Sequence, residues 1–352
     1  MNNEYIDVEQ PLFDNWKLAG MLATPLRWVT GWVFFSAFWR RVVLAPAKLD
    51  PNSAAYVGNK FNHFLPHALW IKPMLQYLLL HLDGLYAFLI VFTIIEGLVG
   101  LALLLGLGTR LAGLGATLLS WGILMGAGWL GTTCLDEWQI GAFGIAAGLT
   151  LILTGAGPWS LDGWWQRRWP SLANISPLRW LSSGPLSLRA GYWRLAPLAA
   201  VLAMIAIGWA LYTNQAFAGG VVGKLHNPSK KPHLALSQPA LNSNGNLQLT
   251  LFRDGGPDTY GAFIVDVSVK DSADQVVENF DEGQLAALST SAIDNRYPAK
   301  VQPGEHSLMV PLGSLARVNL EPGKPTTLSP GTYQIEVTDV SGLNWSIAAK
   351  VQ

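Results

Sequence analysis

The sequence predicts an all-α membrane bundle of four helices with a fifth, anchoring transmembrane helix, followed by an extracytoplasmic all-β sandwich of immunoglobulin-like type. Three observations predict it. Of 352 residues, 50% are hydrophobic and only 13% charged, against about 25% charged in soluble domains. Several uncharged runs reach the roughly 20 residues that a bilayer crossing needs. From about Gly219 onward the long apolar runs stop and short alternating stretches replace them. The 16 Trp residues suit a chain that meets two membrane interfaces.

The spans, in order, are Leu26–Ala45, Leu85–Leu107, Leu111–Leu130, Trp138–Leu153 and Leu195–Ala216. Gly106-Leu107-Gly108 and Gly155-Ala156-Gly157-Pro158 punctuate their ends. Gly113, Gly115, Gly126, Gly128, Gly141, Gly144 and Gly148 give the third and fourth spans small residues, which let membrane helices approach closely. The organisation expected is a cytoplasmic tail over 1–25, a bundle over 26–158 with an outer loop at 46–83, an Arg-rich cytoplasmic linker at 159–194, the fifth helix at 195–216 and a β domain at 217–352. The start, MNNEYIDVEQPLFDNW, is acidic and polar and lacks the basic start and short apolar core of a cleaved signal peptide.

Orientation follows from the positive-inside rule. Arg167, Arg168, Arg179, Arg189 and Arg194 face one acid, Asp162, in the segment after the fourth span, which is expected in the cytoplasm with Arg110. The loop at 131–137 carries Asp136 and Glu137 and no base, so it is expected outside. The N-terminus then lies in the cytoplasm of a cell inner membrane and the β domain outside it. That domain is predicted from the alternations Leu247-Leu249-Leu251, Phe263-Val265-Val267-Val269, Leu308-Val310, Tyr333-Ile335-Val337 and Trp345-Ile347, with a short helix at 282–288.

Composition also excludes function classes. A formal net charge of zero gives no case for nucleic-acid binding. The single cysteine, Cys134, rules out an intrachain disulfide and any multi-cysteine zinc or iron–sulfur site. There is no dinucleotide-binding glycine fingerprint, P-loop or haem-attachment motif, and no flavin or metal motif. An oxidoreductase built on this chain needs an electron carrier that dissolves in the bilayer.

Glu96 is the most informative residue, a carboxylate within the uncharged run 84–109. Placing it there costs about 2.5–3.5 kcal/mol on insertion scales, so it is expected to face protein, a proton path or a ligand. A carboxylate in a dry site exchanges protons readily; the bland alternative is a helix–helix hydrogen bond or a buried pair with an Arg. Arg40 and Arg41, at the predicted outer end of the first span, suit an oxyanion clamp or snorkel to headgroups. Lys48, Lys60, His63 and His67 in the outer loop are candidate contacts for an anionic substrate. His63 and His67 share a face if helical, yet two His around Pro66 make no metal site. Cys134, Asp136 and Arg110 are accessory candidates; the acids beside Cys134 disfavour a reactive thiolate, leaving a packed small residue.

Four stretches carry a resemblance: GWVFFSAFWRR (31–41), KLDPNSAAYVGNKFNHFLP (48–66), EGLVGLALLLGLGTRLAGL (96–114) and DEWQIG (136–141). Together they resemble the DoxD branch of the DoxX-like membrane proteins over about residues 25–165. The second half, through GKLHNPSKKPH (223–233) and the β-rich tail, is similar to DoxA, so the chain resembles a fusion of both. The resemblance implies thiosulfate:quinone oxidoreductase activity, in which two thiosulfates are coupled to one tetrathionate and two electrons pass to a membrane quinone of ubiquinone or other type. It implies thiosulfate, quinone and the bilayer as partners, with a homo-oligomer or a terminal oxidase as further ones. On this reading Arg40 and Arg41 meet thiosulfate outside, and Glu96 serves the quinone. A non-catalytic scaffold subunit and a sulfur-oxyanion transporter are the alternatives; the inverted repeat that would favour transport is not evident in the sequence.

Overall fold

The structure, a computed structural model, describes residues 15–131, 136–171, 175–184, 192–257 and 262–351. The chain divides into two compact units: Met1–Leu49, Phe88–Leu124 and Gln139–Thr213 form the first, and Asp50–Ala87, Met125–Trp138 and Asn214–Gln352 the second.

The helices are α1 (Asn15–Leu22), α2 (Thr24–Trp39), α3 (Gly58–Phe64), α4 (Lys72–Leu80), α5 (Leu82–Leu105), α6 (Thr109–Ala127), α7 (Asp136–Thr154), α8 (Leu161–Arg168), α9 (Ser176–Leu181), α10 (Tyr192–Ala218) and α11 (Glu282–Ala286). Among the described residues, four stretches are long and apolar enough to cross a membrane: α5, α6, α7 from Glu137 and α10 from Leu195. The protein is a multi-pass membrane protein. The first predicted span is not one uniform helix. Sixteen-residue α2 ends at Trp39, and a five-residue π turn, Arg40–Leu44, continues it. The wider turn closes with the Ala45 amide donating to the Arg40 carbonyl at 2.9 Å. Such turns are frequent at functional sites.

Glycines set the helix contacts of the first unit. A Cβ on Gly100 of α5 would lie 2.4 Å from the backbone nitrogen of Phe35, and one on Gly31 of α2 would lie 2.9 Å from that of Leu104. No side chain fits there, so the two backbones approach directly. Gly113 and Gly148 bring α6 against α7 in the same way. The turn between α5 and α6 needs left-handed backbone at Gly106 (φ 67°) and Gly108 (φ 54°), which other residues adopt at a cost. Helix α10 meets the bundle through Trp209, edge-on to Trp121 with ring centroids 5.9 Å apart. Its Leu198, Val201, Met204, Ile207 and Leu211 stay exposed, as lipid-facing residues do.

The second unit contains the sandwich. Its strands are β1 (His233–Leu241), β2 (Leu247–Gly255), β3 (Ala262–Lys270), β4 (Val276–Phe280), β5 (Ile293–Asn295), β6 (Gln302–Pro303), β7 (Leu308–Val310), β8 (Leu315–Leu320), β9 (Gly331–Asp339) and β10 (Asn344–Val351). One sheet runs β1-β2-β8-β5. The other runs β10-β9-β3-β7-β6, with β4 also on β3. All pairs are antiparallel. Leu247, Leu249 and Leu251 from one sheet and Val267, Val269, Ile335 and Val337 from the other fill one core. The Tyr333 hydroxyl donates to the Ser329 carbonyl at 2.9 Å, a corner lock typical of such sandwiches. One strand departs from its sequence pattern. The alternation Phe263-Val265-Val267-Val269 is broken by a register shift between Ile264 and Asp266, so Ala262 and Ile264 are buried ahead of it and Val267 and Val269 beyond it. The extra residue of a bulge moves the following side chains to the opposite face.

Within the second unit, Asn62 of α3 ties the predicted outer loop to the sandwich. Its side chain is fully buried; Nδ2 donates to the Gly313 carbonyl at 3.0 Å, and Oδ1 accepts from the Ala299 amide at 3.2 Å. Asn62→Ala strands both backbone groups, at about 1–3 kcal/mol each. Faster hydrogen exchange at the Ala299 amide is the expected result; unchanged protection would count against this anchor.

Candidate functional site

Helices α2 and α5 run antiparallel and bury polar groups at both ends of their contact. Glu96 lies about 21 Å along α5 from Leu82 and about 14 Å from Leu105, at 1.5 Å per residue. It is 4% exposed. Arg41, 55 residues away in sequence and in the π turn after α2, donates from Nη1 to Glu96 Oε2. The same nitrogen lies 3.5 Å from Thr93 Oγ1, one turn earlier on α5. The Phe92 ring sits 5.8 Å from the guanidinium carbon, within cation–π range. The arrangement is a buried, charge-assisted hydrogen bond, the strong kind.

Arg40 points elsewhere. Its side chain is exposed, and Nε donates to the Ser36 carbonyl at 3.3 Å. The two adjacent arginines thus have different partners: Arg41 the buried acid, and Arg40 the Ser36 carbonyl, with Arg40 still near enough to Glu96 to act on it through its charge. Successive helical residues diverge in direction, which accounts for the different partners. Lys48 lies in the 3-10 turn Pro46–Leu49 of the first unit.

Lys60, His63 and His67 belong to the second unit. Lys60 and His63 lie on α3, but the helix stops at Phe64 and a 3-10 turn, Leu65–His67, carries Pro66. His67 packs edge-on to Trp129, ring centroids 4.7 Å apart. Burial pushes its imidazole below the ordinary value, opposed by the Asp254 backbone carbonyl. His233 Nδ1 and the Asp254 carboxylate pair beside it. No group of three or more His, Cys, Asp or Glu among the described residues could hold a metal ion. Cys134 and the side chain of Asp136 lie outside the described residues; Asp136 opens α7.

Arg110 lies at the opposite end of the bundle from Arg41, in a polar layer that sequence reasoning did not assemble. Its Nε donates to the Ile152 carbonyl and its Nη1 to that of Trp180, both at 3.1 Å. Arg27, 1% exposed, donates to the carbonyls of Leu103 (2.6 Å), Leu104 (3.0 Å) and Trp159 (2.9 Å). The Leu103, Leu104, Ile152 and Trp180 carbonyls lie in the last turns of α5, α7 and α9, so both guanidiniums satisfy carbonyls at helix C-termini, while Trp159 lies in the loop before α8. Asp162 does the reverse at the start of α6, accepting from the Gly108 amide (2.7 Å), the Thr109 amide (3.0 Å) and the Ser183 hydroxyl (2.5 Å). Burial pushes its carboxyl up from the ordinary range, against those hydrogen bonds. The signals were present in the sequence: Arg27 is a charge inside the first predicted span, and Asp162 is the one acid in an Arg-rich stretch.

Two apolar cavities open along the bundle. One, about 360 Å³, lies among α5, α6, α8 and α9 and includes Leu98, Val99, Ala102, Leu111, Asp162 and Trp165 in its wall. The other, about 610 Å³, lies among α2, α6 and α7, with Thr30, Ser120, Gln139 and Thr150 as its polar groups.

Two family models match the chain. Residues 22–188 match the TQO small subunit DoxD, and residues 217–348 match the TQO small subunit DoxA. The chain belongs to the DoxD and DoxA families. It joins both subunits in one polypeptide. The DoxD region holds the Arg41–Glu96 pair, the Arg27–Asp162–Arg110 layer and both cavities; the DoxA region holds the sandwich.

Proposed function

We propose that the protein oxidises thiosulfate to tetrathionate on the outer side of the cell membrane and passes the electrons to a membrane quinone. The observation that carries this reading is the buried Arg41–Glu96 pair in a DoxD bundle whose family name denotes thiosulfate:quinone oxidoreductase. The arginine-rich segment containing Arg167, Arg168 and Arg179 supports a cytoplasmic position for that end of the bundle, and so an outer position for Arg40 and Arg41.

Thiosulfate is a dianion, and two of them must meet for a sulfur–sulfur bond to form. Arg40, exposed, suits the first contact, and Lys48, Lys60 and His63 add cationic character to the outer segments. Arg41 stands behind, held by Glu96, Thr93 and Phe92. An anion reaching Arg41 competes with Glu96 for the guanidinium. Protonation of Glu96 releases Arg41 for that anion, and departure of the anion returns the pair. Glu96 in this way couples substrate charge to proton movement. A bound quinone supplies a two-electron, two-proton sink. The apolar cavities at lipid depth fit such an acceptor, since ligand sites are concave, mostly apolar and carry few polar groups.

The test is detergent-purified protein with thiosulfate and a short-chain quinone. Loss of quinone absorbance with one tetrathionate formed per two thiosulfates is the expected result. Thiosulfate uptake into sealed vesicles without quinone reduction would favour a transporter and overturn the reading.

A further inference from the structure

The 360 Å³ cavity has in its wall Asp162, one of the two carboxylates buried among the described residues of the first unit; the other, Glu96, is not part of the lining. Leu98 and Val99, in its wall, follow Glu96 within one turn of α5, and Asp162 forms part of the wall beside α8. Leu98, Leu107 and Leu111 border it and are exposed on the face that meets lipid, so a long apolar tail has a way in. Its walls are almost wholly hydrocarbon, apart from Asp162, Ser182 and the Trp165 indole. An acyl chain would gain nothing from the Asp162 carboxylate, which already accepts from Gly108, Thr109 and Ser183 and keeps one of its about four acceptor positions for a further donor. A ring bearing oxygen substituents would.

We propose that this cavity is the docking site for the quinone ring, with the Asp162 carboxylate accepting a hydrogen bond from the hydroxyl of the reduced ring. The assignment rests on the quinone reading above and adds its location. A carbonyl oxygen cannot donate to a carboxylate, whereas a hydroxyl can, so the reduced ring is held more tightly than the oxidised one. Trp165 lies in the wall and serves as a built-in reporter, because quinones quench indole fluorescence on contact.

The experiment titrates the full chain in detergent with a short-chain ubiquinone analogue and follows tryptophan emission. Saturable quenching is expected. Trp165→Phe should remove the largest share of its amplitude of any single Trp→Phe replacement. Ala102→Phe, which fills the cavity, should raise the apparent Kd about tenfold or more, a change equivalent to about 1.4 kcal/mol. Leu111→Trp, on the exposed rim, should weaken binding in the same direction and keeps the test decisive if Ala102→Phe does not fold. Unchanged amplitude in Trp165→Phe, together with an unchanged Kd in either filling variant that melts like the parent, overturns the site. Absence of thiosulfate-dependent reduction of any acceptor by the parent protein overturns the function reading instead, and a saturable quench mapped to Trp165 would still stand.

Discussion

Arg41→Gln is expected to abolish thiosulfate-dependent turnover and to destabilise the membrane unit by about 3–5 kcal/mol, the range for breaking a buried pair from one side. The cost arises because Glu96, 4% exposed, is left as a carboxylate with its guanidinium gone. Glu96→Gln strands Arg41 instead. Arg41 keeps about a fifth of its side chain exposed, so it can turn toward water and the loss of stability should be smaller. In Arg41→Gln/Glu96→Gln no buried charge remains, and two amides can hydrogen-bond each other. That variant should recover most of the melting temperature and none of the activity. A double-mutant cycle in detergent, read by both melting and turnover, separates the two roles. If the double variant regains turnover along with stability, the pair is structural and the proposed coupling is wrong. Arg40→Gln is the contrast. Its exposed side chain contributes little to stability, so its effect should appear as a raised KM for thiosulfate.

Asp162→Ala is expected to have the second large effect, a sharp fall in the yield of folded protein. The carboxylate is the acceptor for the Gly108 and Thr109 amides at the start of α6. Its removal leaves two backbone donors at about 1–3 kcal/mol each, and Arg27 and Arg110 lose the negative charge near them. Asp162→Asn keeps one acceptor and should be milder. Fluorescence-detected size exclusion, with melting of whatever folds, measures both. An alanine variant that melts like the parent would refute the capping role. The sign of the pH dependence also follows. Burial holds the carboxyl above the ordinary range, so the ionised form is the one that folding disfavours. The group's contribution is full below the ordinary carboxylate pKa of about 3.9 and falls as pH rises through the raised value. Asp162→Asn, which does not ionise, should flatten that part of the pH profile.

Much of the candidate site was legible residue by residue and little of it as an arrangement. Glu96 and Arg41 each stood out, one as a charge in an apolar run and the other as an arginine at a span's end, and each suggested a separate job. Their pairing depends on backbone contact at Gly31 and Gly100, which sets α2 against α5 in one register. Arg40 and Arg41 read alike because they are adjacent, and only the structure gives them different partners, the Ser36 carbonyl and Glu96. Arg27 and Asp162 drew no functional notice because neither carries a motif; their importance lies in which helix ends they satisfy. In the sandwich, β2 and β9 kept the alternation visible in the sequence, whereas β3 lost it at a bulge that no local pattern announces.

By itself the amino-acid sequence determined that this protein enters a membrane and then forms a β-rich region, because hydropathy and side-chain period are local properties that survive in any fold. It also determined that a carboxylate lies within an apolar helix. Only the tertiary structure decided which guanidinium meets that carboxylate, which charges seal the other end of the bundle and where an apolar ring could lodge. Those depend on helix register and on bulges, set by close packing between residues distant in the chain.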